Sequence, residues 1–265
     1  MHREHSERTP ASWCTHLEPA DVVRHFKARS CTRQQHWHHL VSMGVYHSRR
    51  PIDVLYPSTM STQLPLRCTC GKVRGLVRSV SPDSGTRVVC YCDDCQAFAH
   101  FLERGEVLDA NGGTDIFQLP PRAVQITEGA ELLRCMRLSD KGLFRFYTEC
   151  CHTPVGNMVG QRLPFIGLIH TIMDHQGDGR SRDEVLGKPR AYIFGAIAKG
   201  RVPPHIHPKA PFGLMVRSMR LVFGWWLRGQ GTPSPFFDPQ TKAPCAVPRV
   251  LTATERETLR QRRTL

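Results

Sequence analysis

Cys90, Cys92 and Cys95 place three thiols within six residues, more than a packed core needs and enough to hold a metal ion. Cys68 and Cys70 lie upstream, with Gly71 directly after them, and the adjacent pair Cys150 and Cys151 lies downstream. Seven of the eleven cysteines fall in these three clusters. Adjacent or once-removed cysteines rarely reach disulfide geometry with each other, so the spacings CxC, CxCxxC and CC suit thiolates presented to zinc. Tetrahedral zinc takes four protein ligands in a closed structural site and three plus an exchangeable one in an open site. Seven thiols divide into a quartet, Cys68, Cys70, Cys150 and Cys151, that staples distant strands, and an open triplet, Cys90, Cys92 and Cys95. The competing readings are one shared zinc with spare thiols, or reduced thiols packed as small hydrophobes.

These motifs also carry a resemblance. The order CxCG at Cys68 to Gly71, CxCxxC followed by Gln96, and a cysteine pair running into His152, Thr153 and Pro154 resembles the superfamily of glutathione-dependent formaldehyde-activating enzymes and centromere protein V, over roughly residues 64–160. The resemblance implies a mainly β chain: a zinc-pinned β-tent with one structural and one catalytic-type zinc. It implies carbon–sulfur lyase activity on a thiol–aldehyde adduct such as S-hydroxymethylglutathione, with Cys90, Cys92 and Cys95 as the catalytic ligands. The third motif departs from the family form, which resembles FCxxCGTP: Thr148 stands where the first cysteine would, Cys150 takes its place, and His152 replaces the glycine. The pattern is that of a divergent branch.

The elements that must position these thiols read as short strands. Lys72 to Arg78 alternates short and long side chains, and Arg87-Val88-Val89 is a β-branched run leading into the triplet. Further strands are expected at Asp115 to Leu119, Ala123 to Thr127, Leu132 to Leu138, with Cys135 as a core thiol, and Leu143 to Thr148. They follow the turn signal Asn111-Gly112-Gly113. After the triplet, Gln96 to Leu102 predicts one or two helical turns that bury Phe98 and Phe101. Pro164 to Met173 suits a core strand or helix, Gln176 to Gly187 reads as an exposed loop, and Ala191 to Ala198 as a strand. His170 or His207 would close the triplet if either supplied a fourth ligand, and Asp174 and His175 are near in sequence. A hydrogen-bonded histidine, and an extended linker at Pro203 to Pro208, are the simpler expectations. Asp93 and Asp94 either orient the triplet loop, tune its metal or face water.

The chain divides into three expected regions. Residues 1–59 hold eight of the fourteen histidines, lack sustained apolar periodicity, and read as a disordered or non-native extension, with translation beginning at Met60. In that region His36, His38 and His39 read as a solvated tract, and Cys14 and Cys31 have no evident role. Residues 60–210 form the zinc-binding β domain of short antiparallel strands. Residues 211–265 form a helical extension packed on it, with Phe236 and Phe237 plugging back into the core. Phe212 to Arg228 predicts a helix with an arginine stripe and a wide apolar face. Docking on the β domain is the preferred expectation, and a basic amphipathic helix with paired tryptophans is also the pattern for lying on an anionic membrane. With internal arginines and fewer than about 20 apolar residues, it is no transmembrane span. Thr252 to Glu255 resembles a capping box opening a terminal helix.

At 265 residues and 40% hydrophobic, the chain is long and apolar enough for a sizeable core. No apolar run follows the basic start, so no secretion signal is read and a cytoplasmic protein is expected. A formal charge of +13 favours anionic partners, among them the carboxylates of a glutathione-like thiol substrate. The arginines are scattered rather than interleaved with aromatics on recognisable platforms, and no recognisable nucleic-acid motif appears, so a specific nucleic-acid binder ranks last. A thiol-active zinc enzyme and a non-catalytic zinc-structured binding module remain as the two main alternatives.

Overall fold

The structure, a computed structural model, describes residues 62–175 and 179–264. The readings of residues 1–59, including the histidine tract, Cys14, Cys31 and the start at Met60, lie outside the described residues. Residues 61–265 form one compact unit.

The unit is mainly β. The strands β1 (Thr62–Arg67), β2 (Arg74–Val80) and β5 (Val124–Glu128) form a three-stranded antiparallel sheet in the order β1-β2-β5. Eight more strands, β3 (Thr86–Cys90), β4 (Thr114–Leu119), β6 (Leu133–Arg137), β7 (Phe144–Thr148), β8 (Pro154–Met158), β9 (Ile166–Ile169), β10 (Ala191–Ile193) and β11 (Arg249–Val250), form a second sheet in the order β10-β3-β4-β9-β8-β7-β6-β11. The inner pairs are antiparallel, as expected. Both edges depart from it: β10 runs parallel to β3, and β11 runs parallel to β6.

Side-chain alternation sorts the residues of the large sheet onto two buried faces. Phe117, Leu119, Leu133, Phe146, Ile166 and Leu168 meet Leu64, Leu66 and Val77 of the small sheet. Ile116, Met136 and Ile169 point the other way, into a cluster with Phe98 of α1 (Asp93–Phe101) and Leu259 of α4 (Ala253–Thr264). The result is a small sheet, a large sheet and a helical layer. Phe236 and Phe237 do plug into the first of these cores, stacking around Phe146. Thr252 and Glu255 exchange the reciprocal bonds of a capping box at the start of α4.

Three local expectations are corrected. The stretch read as an exposed loop carries a short helix, α2 (Arg182–Leu186), whose capping box pairs Ser181 with Glu184 and whose Val185 and Leu186 are buried. The strand expected over Ala191 to Ala198 stops at Ile193, because Phe194 turns into the left-handed region at φ 60°. Pro203 to Pro208 is more than a linker. Ile206 is buried and bridges Tyr192, and His207 N–H donates to the Tyr192 carbonyl.

The helix α3 (Phe212–Leu227) forms as predicted but buries only one stripe of its surface. Trp225 is 7% exposed and Ser218 bonds to Gln118 of β4, whereas Phe212, Met219, Phe223 and Trp226 face outward. Apolar residues run around more than half of this helix, and a single contact line covers only part of them.

A buried ion-pair network fixes α2 against the large sheet. Arg87 grips Asp115 through two nitrogens at 3.0 and 2.8 Å, and reaches Asp183 at 2.5 Å; Arg182 adds a bond to Asp115 at 2.8 Å. Burial raises the Asp115 carboxyl, but the two guanidinium groups outweigh it and hold its pKa below the usual value. A depressed folded-state pKa means stability present above the unfolded value of about 3.9 and lost as pH falls through the folded one. Asp115→Asn is therefore expected to cost about 3 kcal/mol at pH 7 and to flatten the acid limb of the stability profile. Urea midpoints at pH 7 and pH 3 test this, and an unchanged midpoint at pH 7 refutes it.

Candidate metal centres

The quartet sits where the two sheets meet. Cys68 follows β1 and Cys70 lies in the turn before β2, so one tight loop presents two thiols. Gly71, at φ +77°, supplies the left-handed step, and its N–H donates to the Cys68 carbonyl. Val73 N–H donates to the Cys68 sulfur at 3.2 Å. Cys150 and Cys151 occupy the turn between β7 and β8, some eighty residues away in sequence. The two turns are laced together by Thr153, whose hydroxyl receives Thr69 N–H at 3.0 Å, and by Arg104, which donates to the Cys151 carbonyl at 2.6 Å and the Thr69 hydroxyl at 2.8 Å.

All four sulfurs lie within 4.8 Å of one another. Four of the separations are 3.6 Å for Cys68 to Cys70, 3.8 Å for Cys68 to Cys150, 3.3 Å for Cys70 to Cys150 and 3.8 Å for Cys150 to Cys151. Sulfurs at tetrahedral corners around an ion with bonds of about 2.3 Å would be about 3.8 Å apart. The cluster fits a metal ion. Burial raises the Cys68 and Cys150 thiols, the latter to about 12. Burial also works against the Cys151 thiolate, yet the Thr148 and Thr153 hydroxyls beside it bring its pKa down to about 5. The buried Thr148 supports Cys151 while Cys150 supplies a sulfur. His152 adopts φ +53°, the left-handed conformation that favours glycine at this turn.

The triplet sits at the junction of β3 and α1. Cys90 ends the strand, Cys92 caps the helix and Cys95 lies in its first turn, so the strand-to-helix bend folds three sulfurs inward. These too lie within 4.8 Å of one another. Cys90 and Cys95 are buried and Cys92 half-buried. Among the described residues no fourth histidine, cysteine or carboxylate joins the group. Hydrogen bonds from Cys90 and Cys92 hold Cys95 far below the usual thiol pKa, with Arg145 adding to the effect. Cys90 is strongly raised by sharing its proton with its neighbours, and by burial. For Cys92 the bond with Cys90 lowers the pKa, but Cys95 and burial prevail and push it to about 12. A metal ion held by the trio would displace the protons of its thiols.

Arg145 is the residue that spacing did not reveal. It lies on β7, opposite Asn157 of β8, is 1% exposed, donates to Asn157 Oδ1 at 3.1 Å and Asp94 Oδ2 at 3.2 Å, and sits over the Phe98 ring. Its Nε–H is buried without an acceptor. A buried cation next to three thiols is what an anionic metal–thiolate centre needs, and an arginine inside the aromatic run FRFYT was the available signal.

The sequence-level alternatives are placed elsewhere. The Nδ1 of His170 lies 3.3 Å from the Asp115 carbonyl, and burial and Arg182 lower its pKa from the usual imidazole value. Neither His170 nor His207 belongs to the triplet. Asp174, bonded to Arg67, and His175 line a cleft beside Cys68 rather than approaching the triplet. Asp93 and Asp94 pair with Arg260 of α4 and with Arg145, so both orient the loop. Cys135 is buried in β6, as expected.

Residues 60–246 match a family described as of unknown function, DUF6151. No curated protein matches the chain.

Proposed function

We propose that this chain, which belongs to the DUF6151 family of unknown function, holds zinc at both cysteine clusters and uses the triplet to bind and activate a thiol, as a carbon–sulfur lyase acting on a thiol–aldehyde adduct such as S-hydroxymethylglutathione. The observation that carries the reading is the gathering of Cys90, Cys92 and Cys95 with no fourth protein ligand among the described residues, the donor set of an open zinc site. The resemblance to the glutathione-dependent formaldehyde-activating superfamily supports it.

Zinc bound at the triplet supplies Lewis acidity that favours the thiolate form of a substrate sulfur. The chain's own part is to hold that charge. Cys90, Cys92 and Cys95 bind, α1 directs its N-terminal dipole at them, and Arg145 offsets the excess negative charge from beneath. In the lyase direction the carbon–sulfur bond breaks with its electron pair leaving on sulfur, the adduct hydroxyl gives its proton to water, and the aldehyde carbonyl forms.

A second reading has its own observation. Cys90 and Cys95 are buried at 6% and 7% exposure, which favours a zinc-structured binding module whose triplet never admits substrate. Cobalt-substituted protein separates the two. Glutathione is expected to shift the visible bands of the triplet cobalt and not those of the quartet, and the shift should vanish in Cys92→Ser. Bands that ignore glutathione would select the binding module.

A further inference from the structure

The least accounted-for surface is on α3. At about 100° per residue, the helix divides into three sectors. Leu214, Ser218, Leu221 and Trp225 turn inward, and Arg217, Arg220 and Arg228 form a second stripe. Between them Phe212, Met215, Met219, Phe223, Trp226 and Leu227 fall within an arc of about 120° and are exposed, Phe212 at 79% and Trp226 at 61%. Phe223 and Trp226 stack on each other at 6.1 Å. The apolar surface continues into a groove of about 840 Å³ between the helix and the exposed Val159, Leu163 and Phe194.

Charge identifies the occupant. The groove and the neighbouring arginine face together are lined by Arg162, Arg217, Arg220 and Arg228 and by no carboxylate, and Asp83, 3.6 Å from Arg217, sits at the edge of the stripe. The helix contains no acidic residue, and the chain carries +13. A second copy seated on this face would bring like-charged arginine stripes together. An anionic bilayer offers both complements: acyl chains for the aromatic arc and phosphate or carboxylate headgroups for the arginines. No described helix is long and apolar enough to cross a membrane, which matches a helix that lies on one. The paired Phe223 and Trp226 rings suit the headgroup boundary. We propose that α3 is a peripheral docking helix that seats the protein on anionic lipid surfaces, with Phe212, Met219, Phe223 and Trp226 inserted and Arg220 and Arg228 on the headgroups.

Vesicle flotation of the full chain tests this. The protein should float with phosphatidylcholine vesicles containing about one quarter phosphatidylserine and remain behind with phosphatidylcholine alone. Phe223→Glu with Trp226→Glu should cut binding at least about tenfold, and Arg220→Gln with Arg228→Gln should weaken it and its salt dependence. All four side chains are exposed, so the variants should keep the parent melting curve, and Met219→Glu is the substitute should the double variant not fold. Binding that survives these variants, absence of binding to either vesicle, or a concentration-dependent dimer that Met219→Glu dissolves would each overturn the proposal, the last assigning the face to a second copy.

Discussion

Cys68→Ser and Cys151→Ser are each expected to unfold the protein rather than only weaken an activity. The quartet ties the end of β1 to the turn after β7, so a metal held there would bridge the two sheets whose inner faces make the first core. Structural zinc contributes on the order of 10 kcal/mol of apparent binding free energy, against a whole-domain stability of about 5–15 kcal/mol. A serine hydroxyl is a poor replacement for a thiolate, and the remaining three sulfurs would be left crowded and partly buried with nothing to neutralise them. Far-UV circular dichroism during melting, with and without chelator, reads the outcome. Wild type should fall to the variants' midpoint when stripped of metal, and variants that melt with the metal-loaded wild type would refute the staple.

Cysteine spacing made the two clusters legible because metal ligation is a local demand: CxC and CxCxxC force sulfurs together whatever the rest of the chain does. The four-and-three division needed more, since Cys68 and Cys150 meet only through the pairing of distant strands, yet the stoichiometry of tetrahedral binding singled it out. Strand positions were readable from alternation, and the structure departs by one or two residues at most ends. Elsewhere local pattern ran out. Ser181 and Glu184 form a capping box that the surrounding glycines and charges concealed. The apolar residues of α3 outnumber the stripe that docking can cover, and periodicity does not say which stripe meets the sheet. His170 and His207 had suitable chemistry but are held by backbone bonds to other strands, a matter of register. Arg145 was hidden for the same reason, because its burial depends on the alignment of β7 with β8, where Asn157 is its partner.

Arg145→Met is expected to loosen the triplet metal selectively. Three thiolates around a divalent ion leave a net charge of −1, and Arg145 is the buried cation beside Cys95. In the metal-free protein the substitution removes a desolvated charge whose carboxylate partner, Asp94, is 52% exposed and can turn to water. The cost to the fold itself is therefore mainly that of the buried Asn157 Oδ1, which loses its donor, about 1–3 kcal/mol. With metal bound, the anionic centre loses its buried counter-charge. Loss of such a partner typically lowers metal affinity about 10–100-fold. Competition with a graded series of chelators should strip one ion from Arg145→Met at lower chelator strength than from wild type, while the quartet ion stays. Arg145→Lys should recover part of the loss, restoring the charge without the planar fork that reaches Asn157 and Asp94 together. Equal retention of both ions in Arg145→Met would mean that the triplet does not carry the charge assigned to it, and with that the case for an open thiolate centre would fall.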